Sequence, residues 1–175
     1  MKSKIGPNSV SLAGEFAVLS KLSLNGYEAN MTLGNTKAVD ILVLHPKTNK
    51  MFQLEVKTNY KDARKKPRSS KLFGLHESAW IMKIGHEKIK TPNLFYCFVN
   101  IEKITNNFRF YIVPNLVVAK YIREEHAHWI KEKKKERKKV KDTDMRLFRI
   151  GFKGEKYSVR TPTVEKYENN WKFKK

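Results

Sequence analysis

Residues 37–58, KAVDILVLHPKTNKMFQLEVKT, limit what this chain can fold into more than any other stretch. Two apolar runs flank a turn. Residues 38–44 are rich in Val, Ile and Leu, the composition of a strand. Residues 51–58 alternate, with Gln53, Glu55 and Lys57 to one side and Phe52, Leu54 and Val56 to the other. Between them Pro46 and Asn49 are good turn residues. The pattern predicts an antiparallel hairpin. With a turn symmetric about Lys47 and Thr48, Leu44 faces Met51 and Asp40 faces Glu55.

That register carries chemistry. Directly opposed Cβ atoms in such a pair lie roughly 4.5–5.5 Å apart. Lys57 stands two residues beyond Glu55 and shares its face. Two carboxylates and an ammonium group thus converge in apolar surroundings. Like charges that close repel unless a cation sits between them. Mg²⁺ suits the place, because it takes one or two carboxylates and completes its shell with water and phosphate. The bland alternative is a surface ion-pair cluster without function. Asp40 weighs against it, since it interrupts the apolar run AVDILVL, where an uncompensated charge is costly.

The pattern Val39-Asp40 followed by Glu55-Val56-Lys57 resembles the PD-(D/E)XK nuclease superfamily. Val39 stands where the family name has proline. The order Gly14-Glu15-Phe16-Ala17, Asn25-Gly26-Tyr27, Val39-Asp40-Ile41 and Glu55-Val56-Lys57-Thr58 is most similar to its Holliday-junction-resolvase-like and intron-associated branches, over about residues 9–60. The resemblance implies a restriction endonuclease-like α/β core, with a mixed four- to five-stranded sheet flanked by helices. It implies Asp40, Glu55 and the Val56 carbonyl as ligands of Mg²⁺, with Mn²⁺ a possible substitute. It also implies catalytic roles for Lys57, which would orient water, and for Glu15, which would hold water or a second ion. An exposed helical glutamate is the other reading of Glu15.

Charge names the partner. The chain has 37 basic and 17 acidic residues among 175, a formal net charge of +20. Such an excess calls for a polyanion, and phosphate neutralisation makes DNA the first candidate. No apolar run reaches the ~18–20 residues of a membrane span. MKSKIGPNSV lacks the apolar core of a signal peptide, and the single Cys97 cannot form an internal disulfide, so an intracellular, cytoplasmic protein is expected. Cys97 itself, within LFYCFVN, reads as a core thiol.

The rest of the chain fits one domain of residues 1–175, with a core over about 9–113 and a basic helical extension over about 114–175. A helix is predicted from Ser9 to about Leu24, capped by Asn8 or Ser9. Its apolar stripe would be Leu12, Phe16, Leu19 and Ser23, and Asn25-Gly26 would stop it. Residues 27–33 suit an edge strand. Lys37, in the loop before Asp40, is open to two readings, a solvated loop or a phosphate contact. The segment NYKDARKKPRSSK carries Arg64, Lys65, Lys66 and Arg68 and reads as a DNA-contacting loop or a solvated one. Residues 77–84 are expected as a helix. Residues 94–100 and 108–113 form a second hairpin through Asn106-Asn107.

A helix follows from about Leu116 to Lys131 or beyond. The run KEKKKERKKVK continues it, and Lys133, Lys134, Lys135 and Arg137 are candidate backbone contacts, or simply a solvated face. A strand or turn is expected over 145–152 and a short helix over 163–171.

Together these point to a Mg²⁺-dependent DNA endonuclease, a homodimer or tetramer because cutting two strands needs two sites. The runner-up is a nuclease-like module that grips DNA without cutting. RNA is the third possibility, through Phe95, Tyr96, Phe98, Phe108, Phe110 and Tyr111, although core packing explains those aromatics better.

Overall fold

The structure, a computed structural model, describes residues 5–32, 39–62, 68–70, 72–137, 139–154 and 158–173. It is a mixed α/β chain built as two compact units. The first comprises Met1–Lys65, Asn93–Pro114 and Glu168–Lys175, and the second Lys66–Pro92 and Asn115–Tyr167.

The first unit contains helix α1 (Pro7–Leu24) and strands β1 (Glu28–Met31), β2 (Ile41–His45) and β3 (Lys50–Lys61). The chain then enters the second unit with β4 (Arg68–Ser70) and β5 (Gly74–Lys83), and returns to complete the first with β6 (Leu94–Glu102) and β7 (Phe108–Pro114). The five-stranded sheet has the order β1-β2-β3-β6-β7. Every pairing is antiparallel except β3 with β6, which is parallel.

The first hairpin has the predicted register. Leu44 pairs with Met51 and Ile41 with Leu54. Asn49, at φ 51°, turns the chain between them, and Asn106, at φ 56°, does so in the second hairpin. Asparagine tolerates that left-handed conformation. The expected edge strand is β1, and Cys97 is fully buried in β6.

Helix α1 departs from its predicted details. It begins at Pro7 behind Gly6, and no side chain caps it, so neither Asn8 nor Ser9 is the cap. Proline fits there because the first helical N–H has no intrahelical acceptor anyway. The buried face is Gly14, Val18 and Leu22, not the stripe through Leu12 and Phe16, which are 46% and 54% exposed. Full burial of Val18 and Leu22 contributes about 1.5–3 kcal/mol each. They pack with Ile41, Val43, Leu54, Val56, Cys97 and Val99. Asn25 and Gly26, the latter at φ 79°, end the helix as expected.

The chain's end belongs to this core. The helix expected over 163–171 shrinks to α3 (Val164–Tyr167), and Trp171 and Phe173 lie in the first unit's apolar cluster. The Tyr27 hydroxyl donates to the Trp171 carbonyl at 2.7 Å, and Phe173 stacks on Phe52 with centroids 4.8 Å apart.

The second unit has a three-stranded antiparallel sheet, β4-β5-β8, where β8 is Met145–Gly151. Helix α2 (Asn115–Lys135) packs on β8 with Tyr121 edge-on to Phe148. It starts one residue before the predicted Leu116. Residues 77–84 lie mostly in strand β5 and do not form the expected helix. His76, Ser78, Trp80 and Met82 are buried in alternation, a period of two that Ala79, Trp80 and Met82 conceal because a helix tolerates them. No helix among the described residues is long and apolar enough to cross a membrane.

Candidate active site

The site forms where β2 stops. The ladder between β2 and β3 ends at Ile41 and Leu54, one residue short of Asp40. Past that end the β3 backbone has no strand partner on the β2 side among the described residues, and buried amides need acceptors. Asp40 supplies one, for Oδ2 accepts the Val56 N–H at 2.6 Å. Its own N–H donates to the Leu54 carbonyl at 2.7 Å. Thr32 pins the neighbouring backbone, its N–H donating to the Asp40 carbonyl at 2.9 Å and its hydroxyl to the Val39 carbonyl at 2.7 Å. The Asp40 carboxylate therefore sits at the level of Val56, not directly across from Glu55 as the bare register suggests.

A strand residue's carbonyl points to the same edge as its own N–H. The Val56 carbonyl is thus on Asp40's edge of β3. Glu55 is only 4% exposed and forms an ion pair with Lys57, two residues along the same face. The Lys57 side chain keeps 30% of its surface in solvent.

Glu15 reaches the site from α1. It accepts a hydrogen bond from the Ser11 hydroxyl at 3.1 Å, one turn earlier, which orients it. Burial holds the Asp40 carboxyl above the usual carboxylate range. The Val56 amide and the Lys57 charge oppose that shift, and the charges of Glu15 and Glu55 reinforce it. Glu15, Glu55 and Lys57 thus each act on Asp40, beside the central strand β3 where the β2 ladder ends.

Among the described residues no group of three or more His, Cys, Asp or Glu side chains is arranged to hold a metal ion. The donor set available is two carboxylates and one main-chain carbonyl. That set fits Mg²⁺, which commonly keeps several waters and uses one or two carboxylates.

Sequence reasoning misses Tyr96, Ser11 and Thr32. Tyr96 pairs in register with Glu55 across the parallel β3–β6 ladder and hydrogen-bonds to it. That ladder joins strands separated by the whole excursion through β4 and β5, so no local pattern reveals it. Ser11 is findable, because it stands one helical turn before Glu15.

The predicted phosphate contacts are placed unevenly. Lys37, Arg64, Lys65 and Lys66 lie outside the described residues. Arg68 is on β4, opposite His76. At the end of α2, Lys133 pairs with Glu136 at 2.9 Å and Lys135 with Glu132 at 2.6 Å. Lys134 and Arg137 are exposed and form no ion pair among the described residues.

The fold is nuclease-like. It resembles a bacterial homing endonuclease, I-Ssp6803I, with a TM-score of 0.52, over 97% of this chain and 91% of that one. The two sequences are 12% identical, so the likeness is one of fold. No protein-family model matches the sequence, and no curated protein does.

Proposed function

We propose that this protein is a metal-dependent DNA endonuclease of the PD-(D/E)XK type. One observation carries the reading: Glu15 on α1 and Glu55 and Lys57 on β3 all act on Asp40 where the β2–β3 ladder ends, in a chain of net charge +20. Asp40, Glu55 and the Val56 carbonyl would hold Mg²⁺, or Mn²⁺ in its place. When bound, such an ion polarises the scissile phosphate and makes water a better nucleophile.

The chain's own residues do the rest. The Val56 amide holds the Asp40 carboxylate in place. Lys57, partly in solvent, swings from Glu55 to the attacking water and the phosphate, where an ammonium stabilises growing negative charge. Glu15 keeps the local field negative, which favours a cation at Asp40. Lys134, Arg137 and the other basic residues neutralise the DNA backbone. Cleavage of both strands calls for two such sites, hence a homodimer or tetramer.

A second reading has an observation of its own. The Lys57–Glu55 ion pair offsets the charge of the buried carboxylate without a metal, as a DNA-gripping module that does not cut would require. Plasmid cleavage in Mg²⁺ separates the two. The endonuclease converts supercoiled plasmid to nicked and linear forms, is silent in EDTA, and loses roughly a hundredfold or more in Asp40→Ala and Lys57→Ala. Equal conversion by all three proteins, or none by the wild type with unchanged DNA binding in EDTA, would remove the nuclease assignment. Four-way junctions and linear duplexes in the same assay identify the preferred DNA form.

A further inference from the structure

We infer that Tyr96 is a positioning residue that fixes the carboxylate of Glu55. The inference rests on the proposed function for what Glu55 does, but not for where Glu55 is held. In the β3–β6 ladder Tyr96 is the register partner of Glu55, so the two side chains rise side by side on one face of the sheet. Tyr96 is 1% exposed, and its ring stacks on Phe98 with centroids 5.7 Å apart and planes 16° from parallel. The ring therefore has one orientation, and its hydroxyl donates to Glu55.

Two groups thus hold Glu55, and they differ in kind. Lys57 is a flexible side chain with nearly a third of its surface in solvent, so it can leave. Tyr96 cannot, for it is locked in the core. A phenol is a proton donor over the ordinary working range of pH, and this one is held beside Glu55 by the strand register. When Lys57 turns to substrate, Glu55 would otherwise be a nearly buried carboxylate with little to fix its rotamer. The phenol keeps one donor on it throughout, the way outer partners orient metal ligands in many sites.

The test is Tyr96→Phe, which keeps the stacked ring and removes only the hydroxyl. In EDTA, a double-mutant cycle with Glu55→Gln reads the coupling free of any metal. The hydroxyl is worth roughly tenfold in the folding constant when Glu55 is present, and under about threefold in the Glu55→Gln background. Equal losses in both backgrounds would overturn the inference.

Calorimetric titration of the full chain with Mn²⁺ is the second arm. Tyr96→Phe weakens binding by roughly 10–100-fold, as loss of an outer partner does, while its melting curve remains cooperative. Unchanged affinity would also overturn it. Failure of the wild type to bind Mn²⁺ sinks the nuclease proposal instead, and the metal-free cycle then decides this inference alone.

Discussion

Gly14 of α1 lies directly over Thr58 of β3. A Cβ built on the glycine would stand 1.9 Å from the threonine Oγ1 and 2.9 Å from its Cβ. The helix can approach the strand this closely only without a side chain at that position. Glu15, the next residue, acts on Asp40 through its charge.

Gly14→Ala should therefore destabilise the protein, although alanine normally gains about 1 kcal/mol over glycine in a helix. Overpacking of this kind costs about 1–3 kcal/mol. A lowered melting temperature and weaker plasmid cleavage are expected together. Thr58→Ala should recover part of both in the double variant, because the buried Thr58 hydroxyl has no hydrogen-bond partner among the described residues. A Gly14→Ala protein that melts at or above the wild-type temperature would show that the helix is free to move.

Asp40 works against folding. Its carboxyl has a folded-state pKa raised chiefly by burial. The folded state then holds a proton at pH values where the unfolded chain has lost it. Stability follows the difference in bound protons, so this contribution is full below the ordinary aspartate pKa of ~3.9 and is lost as pH rises through the raised value. Asp40→Asn removes the charge and keeps an oxygen to accept from Val56. It should melt at or above the wild-type temperature at neutral pH, with the gap closing toward about pH 4, and it should not cleave DNA. Thermal melts from about pH 3.5 to 8, on either side of that range, read this directly. A variant less stable than wild type at neutral pH would mean that the carboxylate's hydrogen bond outweighs its burial.

The chemistry-bearing hairpin is legible in the sequence because a strand's period of two and a short turn are local properties. Asp40 stands out as a charge inside an apolar run, and Lys57 follows from Glu55 by alternation. What stays hidden depends on pairing across distance. Nothing near Tyr96 reveals that β6 lies parallel to β3 with Glu55 opposite it. The inward face of α1 is masked because Leu12 and Phe16 outweigh Gly14 in any hydrophobic count, yet Gly14 makes the contact. Residues 77–84 mislead for the opposite reason, since Ala, Trp and Met do not forbid a helix and only their sheet partners on β8 force the strand.

Lys57 and a divalent cation should compete for Glu55. Lys57→Met leaves a carboxylate that is 4% exposed without its ammonium. Breaking a buried pair costs about 3–5 kcal/mol, and the partial exposure of Lys57 reduces this to about 1–3 kcal/mol in EDTA. Binding to the folded state alone then restores stability with metal concentration. Urea unfolding with and without Mn²⁺ should show a larger metal-induced gain in Lys57→Met than in wild type. Equal gains in both proteins would place the metal away from Glu55.

The basic end of α2 should act through counterion release, and unevenly. Lys133 and Lys135 are each paired with a glutamate close by in sequence, so part of their charge is already neutralised. Lys134 and Arg137 are exposed and outside any ion pair among the described residues, and Arg137, at φ 54°, lies just beyond the helix end. Each phosphate contact adds close to one to the slope of log affinity against log salt. Lys134→Ala and Arg137→Ala should each reduce that slope by about one and weaken binding to all duplexes alike, since phosphate contacts carry no sequence information. Lys133→Ala should do less, because its charge is already offset by Glu136. Fluorescence anisotropy on two unrelated duplexes from about 50 to 300 mM salt, the range where such slopes are read, measures all three. A Lys133→Ala slope that falls as far as that of Lys134→Ala would mean that these ion pairs open on DNA and leave every lysine at this end of the helix equally available to phosphate.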